Sequence, residues 1–367
     1  MPESSALRHI SPMRQTGRML TPDSPDWMRP LGATGIDVCA ITIGGSPLGS
    51  MPQLYGSAVA ADAAVDFVQA VLESPFHTID TSNGYSDGES ERRIGAAIAR
   101  VGGLGEGRVV ITKVDPRDGD YSGARVRESV RESRERLGLD ELPLVHLHDP
   151  EGWDFAAMTA PGGAVDTLVA MREAGEIGRI GLAGGRVQEI ERYFALDVFD
   201  ALLVHNRWTL VDHSAEALVE RAVERGVPVL NAAVYGGGIL ARPEGATHYG
   251  YRPASDATLA AVRAMSEECT RYGTDLATAA LQASLRDPVV ATTVVGATKP
   301  ERLDGLLRAA AADLPIMVQV TVETTGTMLV GADIAAAATV LKALDVPVMG
   351  MNCATGPQEM APHLEWL

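Results

Sequence analysis

An α/β architecture, the (β/α)8 or TIM barrel, is the fold this sequence predicts, and three observations carry the prediction. From about residue 37 to residue 312, short β-type runs alternate with longer amphipathic stretches, eight times over. The short runs are nearly continuous apolar segments, as expected of parallel strands buried on both faces. An open doubly wound sheet would carry a GxGxxG turn into its first helix; "GGSPLGS" (44–50) is glycine-rich without that spacing. Eight βα units of this kind close on themselves.

The elements follow in order. "VCAITIGG" (38–45) reads as the first strand, and "AADAAVDFVQAVLES" (60–74) as a helix with apolar residues at helical spacing. "FHTID" (76–80) is the second strand, and "ESERRIGAAIARV" (89–101) a helix whose acidic start suits its positive end. "RVVITKV" (108–114) is the third strand. Ser122 is the expected N-cap and Gly138 the expected stop of the charged helix that follows. "LPLVHLH" (142–148), "IGRIGLAG" (177–184), "DALLVHN" (200–206) and "VPVLNAAV" (227–234) are the next four strands. Their helices cover 163–175, a short stretch from Val187, 214–226, and, after a glycine-rich loop, about 255–286. "VVATTVVGA" (289–297) and "KPERLDGLLRAAA" (299–311) complete the eighth unit.

Beyond the barrel the chain continues. "IMVQVTV" (316–322) and "VPVMGMN" (346–352) read as strands, and 332–345 and 356–367 as helices: an extra C-terminal βαβα fragment, too small for an ample core of its own. The first 30 residues hold five prolines and little apolar periodicity, so a disordered extension is expected there.

Composition excludes several function classes. The net charge of −17 repels phosphate backbones, and no basic or aromatic stripe argues for nucleic acid. No 18-residue apolar run spans a membrane, so the expected location is the cytoplasm. The three cysteines, Cys39, Cys269 and Cys353, are widely separated and suggest a reducing compartment without disulfides.

The chemistry of such a barrel sits at the carboxyl ends of its strands. The second strand ends at Asp80, with Tyr85 in the following loop; the third ends at Lys113 and the fourth at His148. A tyrosine alone is a poor acid or base at neutral pH, but a nearby ammonium stabilises its phenolate. A carboxylate keeps that lysine charged and oriented, and a histidine can orient a substrate oxygen. Such a set moves a proton to or from an oxygen while a hydride moves at carbon. His146 shares a strand face with His148 and is expected to be a core histidine.

Taken together, "FHTIDTSNGYSDGESERRIGAAI", "VVITKV", "ESRERLGLDELPLVHLHDPE" and "GEIGRIGLAGG" resemble the aldo-keto reductase family over about 31–312. The resemblance implies Tyr85 as general acid and base, Lys113 tuning it, Asp80 anchoring Lys113 and His148 orienting substrate. It implies NAD or NADP as cofactor, with contacts from Gly45, Ser46, His205, Gly236 and Gly237, and at the phosphate turn from Gly296, Ala297, Thr298, Lys299 and Arg302. Within the family, "SPLGSMPQLYG", "NRWTLVD" and "NAAVYGGGILA" are similar to the D-threo-aldose 1-dehydrogenase and L-fucose dehydrogenase branch, with Tyr55 and Trp208 as implied substrate contacts. A small sugar or carbonyl compound is then the expected substrate. A broad NADPH-dependent carbonyl reductase and a non-catalytic cofactor-sensing barrel are the alternatives. The sequence departs from the family's usual Ser-Asn pair (here Ala183 and Gly184), its glutamine (His205) and its stacking tyrosine (Ala232).

The tail, about 315–367, resembles part of the homocysteine-binding domain of cobalamin-dependent methionine synthase, where the "NCATGP" stretch implies one of three zinc-bound thiolates. The paired cysteines that would complete the set are absent from this sequence, so no metal site and no methyltransferase activity are expected.

Overall fold

The structure, a computed structural model, describes residues 19–314, 317–322 and 348–353; for Tyr55 and the last two segments it describes the backbone alone. Its strands are β1 (Met28–Pro30), β2 (Asp37–Cys39), β3 (Ile41–Gly44), β4 (Thr78–Asp80), β5 (Val109–Val114), β6 (Leu144–His148) and β7 (Arg179–Gly184). They continue with β8 (Ala201–His205), β9 (Val229–Ala232), β10 (His248–Tyr249), β11 (Arg252–Pro253), β12 (Val290–Gly296), β13 (Met317–Val322) and β14 (Val348–Cys353). Strands β3 to β9 pair in sequence, and β12 joins β9 to β3, closing an eight-stranded parallel barrel. The unit that holds it runs from Leu20 to Ala310.

Each strand sends alternate residues to opposite faces. Inward, Ile111, Leu144, Ala183, Ala201, Leu203, Leu230, Ala291 and Val294 fill the barrel. Outward, Ile41, Ile43, Ile79, Val110, Val145 and Leu182 meet the apolar sides of the surrounding helices. That double burial is why the strands read as unbroken apolar runs. Among the helices, Ala61–Leu72, Glu89–Arg100, Gly123–Leu137, Ala164–Glu173, Val187–Phe194, Glu216–Glu224 and Glu301–Ala310 fall where expected. The region about 255–286 divides into Asp256–Arg271 and Leu276–Arg286, because Gly273 turns the chain at φ 73° and Asp275 caps the second helix by accepting from Thr278 N–H. Ser122 accepts from the Arg125 amide and Gly138 closes the same helix in the left-handed region. Ser122→Ala should therefore lower unfolding free energy by about 1 kcal/mol, read as a shifted urea midpoint at unchanged slope.

Two expectations change at the amino end. The run 38–45 is not one strand: β2 leaves the barrel sheet and pairs antiparallel with β1, and only Ile41–Gly44 enters the barrel. The disorder expected over 1–30 does not hold for the described part of that stretch, residues 19–30. Residues 1–18 lie outside the described residues, but Trp27 and Arg29 are buried. Arg29 donates to the carbonyls of Asp26, Leu285, Val290 and Ala291, and Leu31 and Val38 join the inner core. The hairpin plugs the barrel's amino-terminal end; proline-rich composition hid it because its strands are only three residues long.

The chain's second unit holds β13 and β14. They pair in parallel, from Met317 against Val348 to Val322 against Cys353. Parallel neighbours need a crossover connection, as the βαβα reading requires. The helices expected at 332–345 and 356–367, and the thiol of Cys353, lie outside the described residues and side chains.

Candidate active site

Strand closure brings the four expected residues to one rim. Asp80 is the last residue of β4, Lys113 the fifth of β5 and His148 the last of β6. Register sets Lys113 beside His146, so the lysine points into the barrel. Its ammonium is 1% exposed and donates to Asp80 Oδ1 at 2.7 Å and to the Thr81 carbonyl at 2.6 Å. The same Nζ stands 4.8 Å from the centroid of the half-buried Tyr85 ring. The His148 imidazole meets Tyr85 edge-on, 5.5 Å between centroids at 81°. The Asp, Tyr, Lys and His of the sequence reading thus converge.

His148 has partners that sequence reasoning missed. Its Nδ1 lies 2.7 Å from Asp115 Oδ1 and 3.0 Å from Ser82 Oγ. The other Asp115 oxygen accepts from the Ser82 hydroxyl and, at 2.7 Å, from the Gly84 amide. The buried phenol of Tyr121 lies 2.8 Å from both the Val114 and His148 carbonyls, which share its one hydrogen, and accepts from the His148 amide at 3.0 Å. On the other side, Asp149 Oδ2 is 3.8 Å from His148 Nε2, and Asp149 Oδ1 is 3.4 Å from His205 Nε2. Burial alone would lower the His148 pKa, but the carboxylates of Asp115 and Asp149 outweigh it and raise it. Burial likewise works to raise the Asp115 pKa; His148, Ser82 and the Gly84 amide hold it below the ordinary value. One signal for Asp115 was available: two residues beyond Lys113, it shares that lysine's strand direction.

His146 is buried, with neither ring nitrogen in an ordinary hydrogen bond. Burial, then the charges of Lys113 and His148, push its pKa well below the ordinary value, so it is a neutral core residue. A Cβ on Gly181 would lie 2.1 Å from its Nδ1, so only glycine leaves room for the ring.

The positions expected to hold cofactor are dispersed around the same rim. Gly45 donates to the Asp80 carbonyl and accepts from Ser90 Oγ, and Ser46 begins a short 3-10 turn. After β7, just past the Ala183 and Gly184 that stand for the family's Ser-Asn pair, the Gly185 and Arg186 amides donate to Glu151 Oε1. A Cβ on Gly185 would lie 2.5 Å from the His205 ring, and Asn206 Nδ2 is 3.2 Å from His205 Nδ1. Gly236 and Gly237 have φ of 58° and 74° and pack under the β10–β11 hairpin, so their glycine character also serves packing. Gly296 is exposed at the end of β12, Ala297 is buried, Thr298 is half-buried, and Lys299 and Arg302 are exposed. Glu301 and Asp304 stand in the first turn of the following helix and weaken its pull on a phosphate.

The set fits a nicotinamide nucleotide on a structural test. Asp80 Oδ2 and Asn206 Oδ1 end buried without a hydrogen-bond partner, and both are acceptors suited to ribose hydroxyl or carboxamide donors.

Of the two implied substrate contacts, one has a described side chain. Trp208 is not brought to the tetrad: its indole donates to Asp287 at 2.8 Å and stacks on His213, and its carbonyl accepts from Asn231. The loop after β8 turns outward over β9, which no periodicity signals. Tyr55 ends a helical turn, Pro52–Tyr55, and its side chain lies outside those described. Cys39 is buried, takes the His77 amide on its sulfur and faces Pro75 O and Met28 Sδ; Cys269 is half-buried on Asp256–Arg271. Burial pushes both thiols up, away from the thiolate a metal needs.

Comparison with known proteins agrees with this geometry. The model of the Aldo/keto reductase family matches residues 40–323. The chain is 28% identical over 316 residues to pyridoxal 4-dehydrogenase of Microbacterium luteolum, covering 75% of this chain and 90% of that one. It is 26% identical over 312 residues to D-threo-aldose 1-dehydrogenase of a Pseudomonas species, covering 77% and 92%. In fold it is similar to an aldo-keto reductase of Bacillus halodurans in its holo form, at TM-score 0.63 and 23% identity over 78% of this chain and 91% of that one. A 54-residue segment is 56% identical to methionine synthase of Mycobacterium tuberculosis, 15% of this chain but 4% of that enzyme. Barrel, rim chemistry and family model meet in one conclusion: the chain belongs to the aldo/keto reductase family, oxidoreductases that use NAD or NADP.

Proposed function

We propose that this protein oxidises the anomeric carbon of a free aldose, with residues 31–312 as the enzyme and 313–367 as a methionine-synthase-like addition. The observation that carries the reading is the convergence of Tyr85, Lys113, Asp80 and His148 at the carboxyl rim of the barrel. The relative named D-threo-aldose 1-dehydrogenase supports the substrate class.

When bound, NAD or NADP supplies the hydride acceptor. Tyr85, as phenolate, takes the proton of the anomeric hydroxyl as the C–H bond gives up its electron pair and the C=O bond of the lactone forms. Lys113 favours the phenolate by charge, and Asp80 holds Lys113 in place. His148 meets the same oxygen. Gly45, Ser46, His205, Gly236 and Gly237 line the cofactor's path, and Gly296, Ala297, Thr298, Lys299 and Arg302 meet its adenylate end.

The test is absorbance of reduced nicotinamide with L-fucose, D-arabinose and pyridoxal, each with NAD and with NADP. Pyridoxal belongs in the panel because one relative is named for it; its cyclic hemiacetal presents the same C–H and O–H pair as an anomeric carbon. A sugar-dependent rise supports the proposal. Turnover of simple aldehydes with NADPH alone would replace it with a general carbonyl reductase, and cofactor binding without turnover on any substrate with a sensing barrel.

A further inference from the structure

The hydrogen bonds around His148 determine which of its nitrogens carries the proton. An ionised carboxylate only accepts. Asp115 Oδ2 already receives the Gly84 amide and the Ser82 hydroxyl, and Oδ1 faces His148 Nδ1 at 2.7 Å. The single Ser82 hydrogen is spent on Asp115, so Ser82 Oγ can only accept at its 3.0 Å contact with Nδ1. Nδ1 therefore carries hydrogen, shared between Asp115 and Ser82. The remaining polar atom of the ring is Nε2.

We propose that Asp115 is a positioning residue that keeps His148 protonated on Nδ1 in both charge states, so that Nε2 alone gains and loses the proton and alone faces the substrate oxygen. With Nε2–H the ring donates to a carbonyl oxygen; with Nε2 bare it accepts from a hydroxyl. The inference rests on the reading above that His148 meets the substrate oxygen. The charged and titratable groups around the ring are Asp115 and Lys113 from β5, Tyr85 from the loop after β4, His146 below it on β6, Asp149 next to it, and His205 beyond Asp149. Asp115 and Asp149 favour the cation; Lys113 opposes it.

Asp115→Asn reverses the bond. The Gly84 amide is a fixed donor, so the new side chain must turn its oxygen there and present its NH2 to Nδ1. A neutral His148 is then protonated on Nε2. The test is imidazole 15N NMR of the full chain labelled at histidine, with the His148 signals assigned by their loss in His148→Asn. Expected are an Nδ1-protonated neutral ring in the wild type and an Nε2-protonated one in Asp115→Asn. Ser82→Ala should leave the wild-type tautomer, because the Asp115 contact remains. In turnover, kcat for oxidation above the His148 titration should fall about tenfold in Asp115→Asn, because the neutral ring then presents Nε2–H and no acceptor to the substrate hydroxyl. Wild-type reduction should decline as pH rises through the His148 titration, and the variant should lose that decline. An Nε2-protonated neutral ring in the wild type overturns the inference, as does an unchanged tautomer in the variant. If Asp115→Asn does not fold, the wild-type spectrum alone decides. The NMR needs no substrate, so absence of sugar turnover refutes the functional reading while leaving this result to stand or fall separately.

Discussion

Tyr85→Phe should remove turnover in both directions, lowering kcat by about 10²- to 10⁴-fold, the range for a lost general acid or base. The substitution deletes one oxygen and keeps the ring. The edge-on contact with His148 and the approach of Lys113 to the ring face are both ring contacts and survive. Cofactor affinity, read by fluorescence titration, should change little, since the phenol is offered as a proton carrier and not as a cofactor ligand. The loss should fall on kcat and kcat/KM together, because the proton moves only in the transition state. A Tyr85→Phe protein with near-normal kcat would remove Tyr85 from the chemistry.

Lys113→Met should both inactivate the enzyme and destabilise it by about 3–5 kcal/mol, the cost of stranding one member of a buried ion pair. The ammonium is held by Asp80 and the Thr81 carbonyl, deep in the barrel. Without it, Asp80 keeps a buried charge with no cation, and the Thr81 carbonyl loses a donor. Lys113→Met with Asp80→Asn should regain part of the stability and none of the activity. Urea unfolding of the two single variants and the double variant closes that cycle. Equal stability for Lys113→Met and wild type would show that the pair contributes nothing to the fold. Activity restored in the double variant would show that the lysine acts only by neutralising Asp80.

Much of the site was legible before the structure because barrels place chemistry at a known location. Once strands end at Asp80, Lys113 and His148, their convergence follows from closure alone. Ser122 and Gly138 were legible for a local reason: a cap depends on residues three or four apart. Asp115 and Ser82 were hidden because their value comes from a third residue, His148, 33 and 66 positions away. Trp208 misled because a loop's course depends on what it packs against, here Asn231 and Asp287. The first strand misled for a similar reason. Val38 and Ile41 are equally apolar and equally buried, but one serves the plug and the other the barrel wall.

By itself, the sequence determined the eight-fold βα alternation, the barrel it closes into and the residue types at its carboxyl rim. Apolar period and strand ends are properties of neighbouring residues, so they can be read along the chain. Only the tertiary structure decided which groups face one another across that rim. It paired His148 with Asp115, and it turned Glu151 into the turn after β7. The physical reason is that a hydrogen bond depends on a separation of about 3 Å, and closing the barrel creates such separations between residues far apart in the chain.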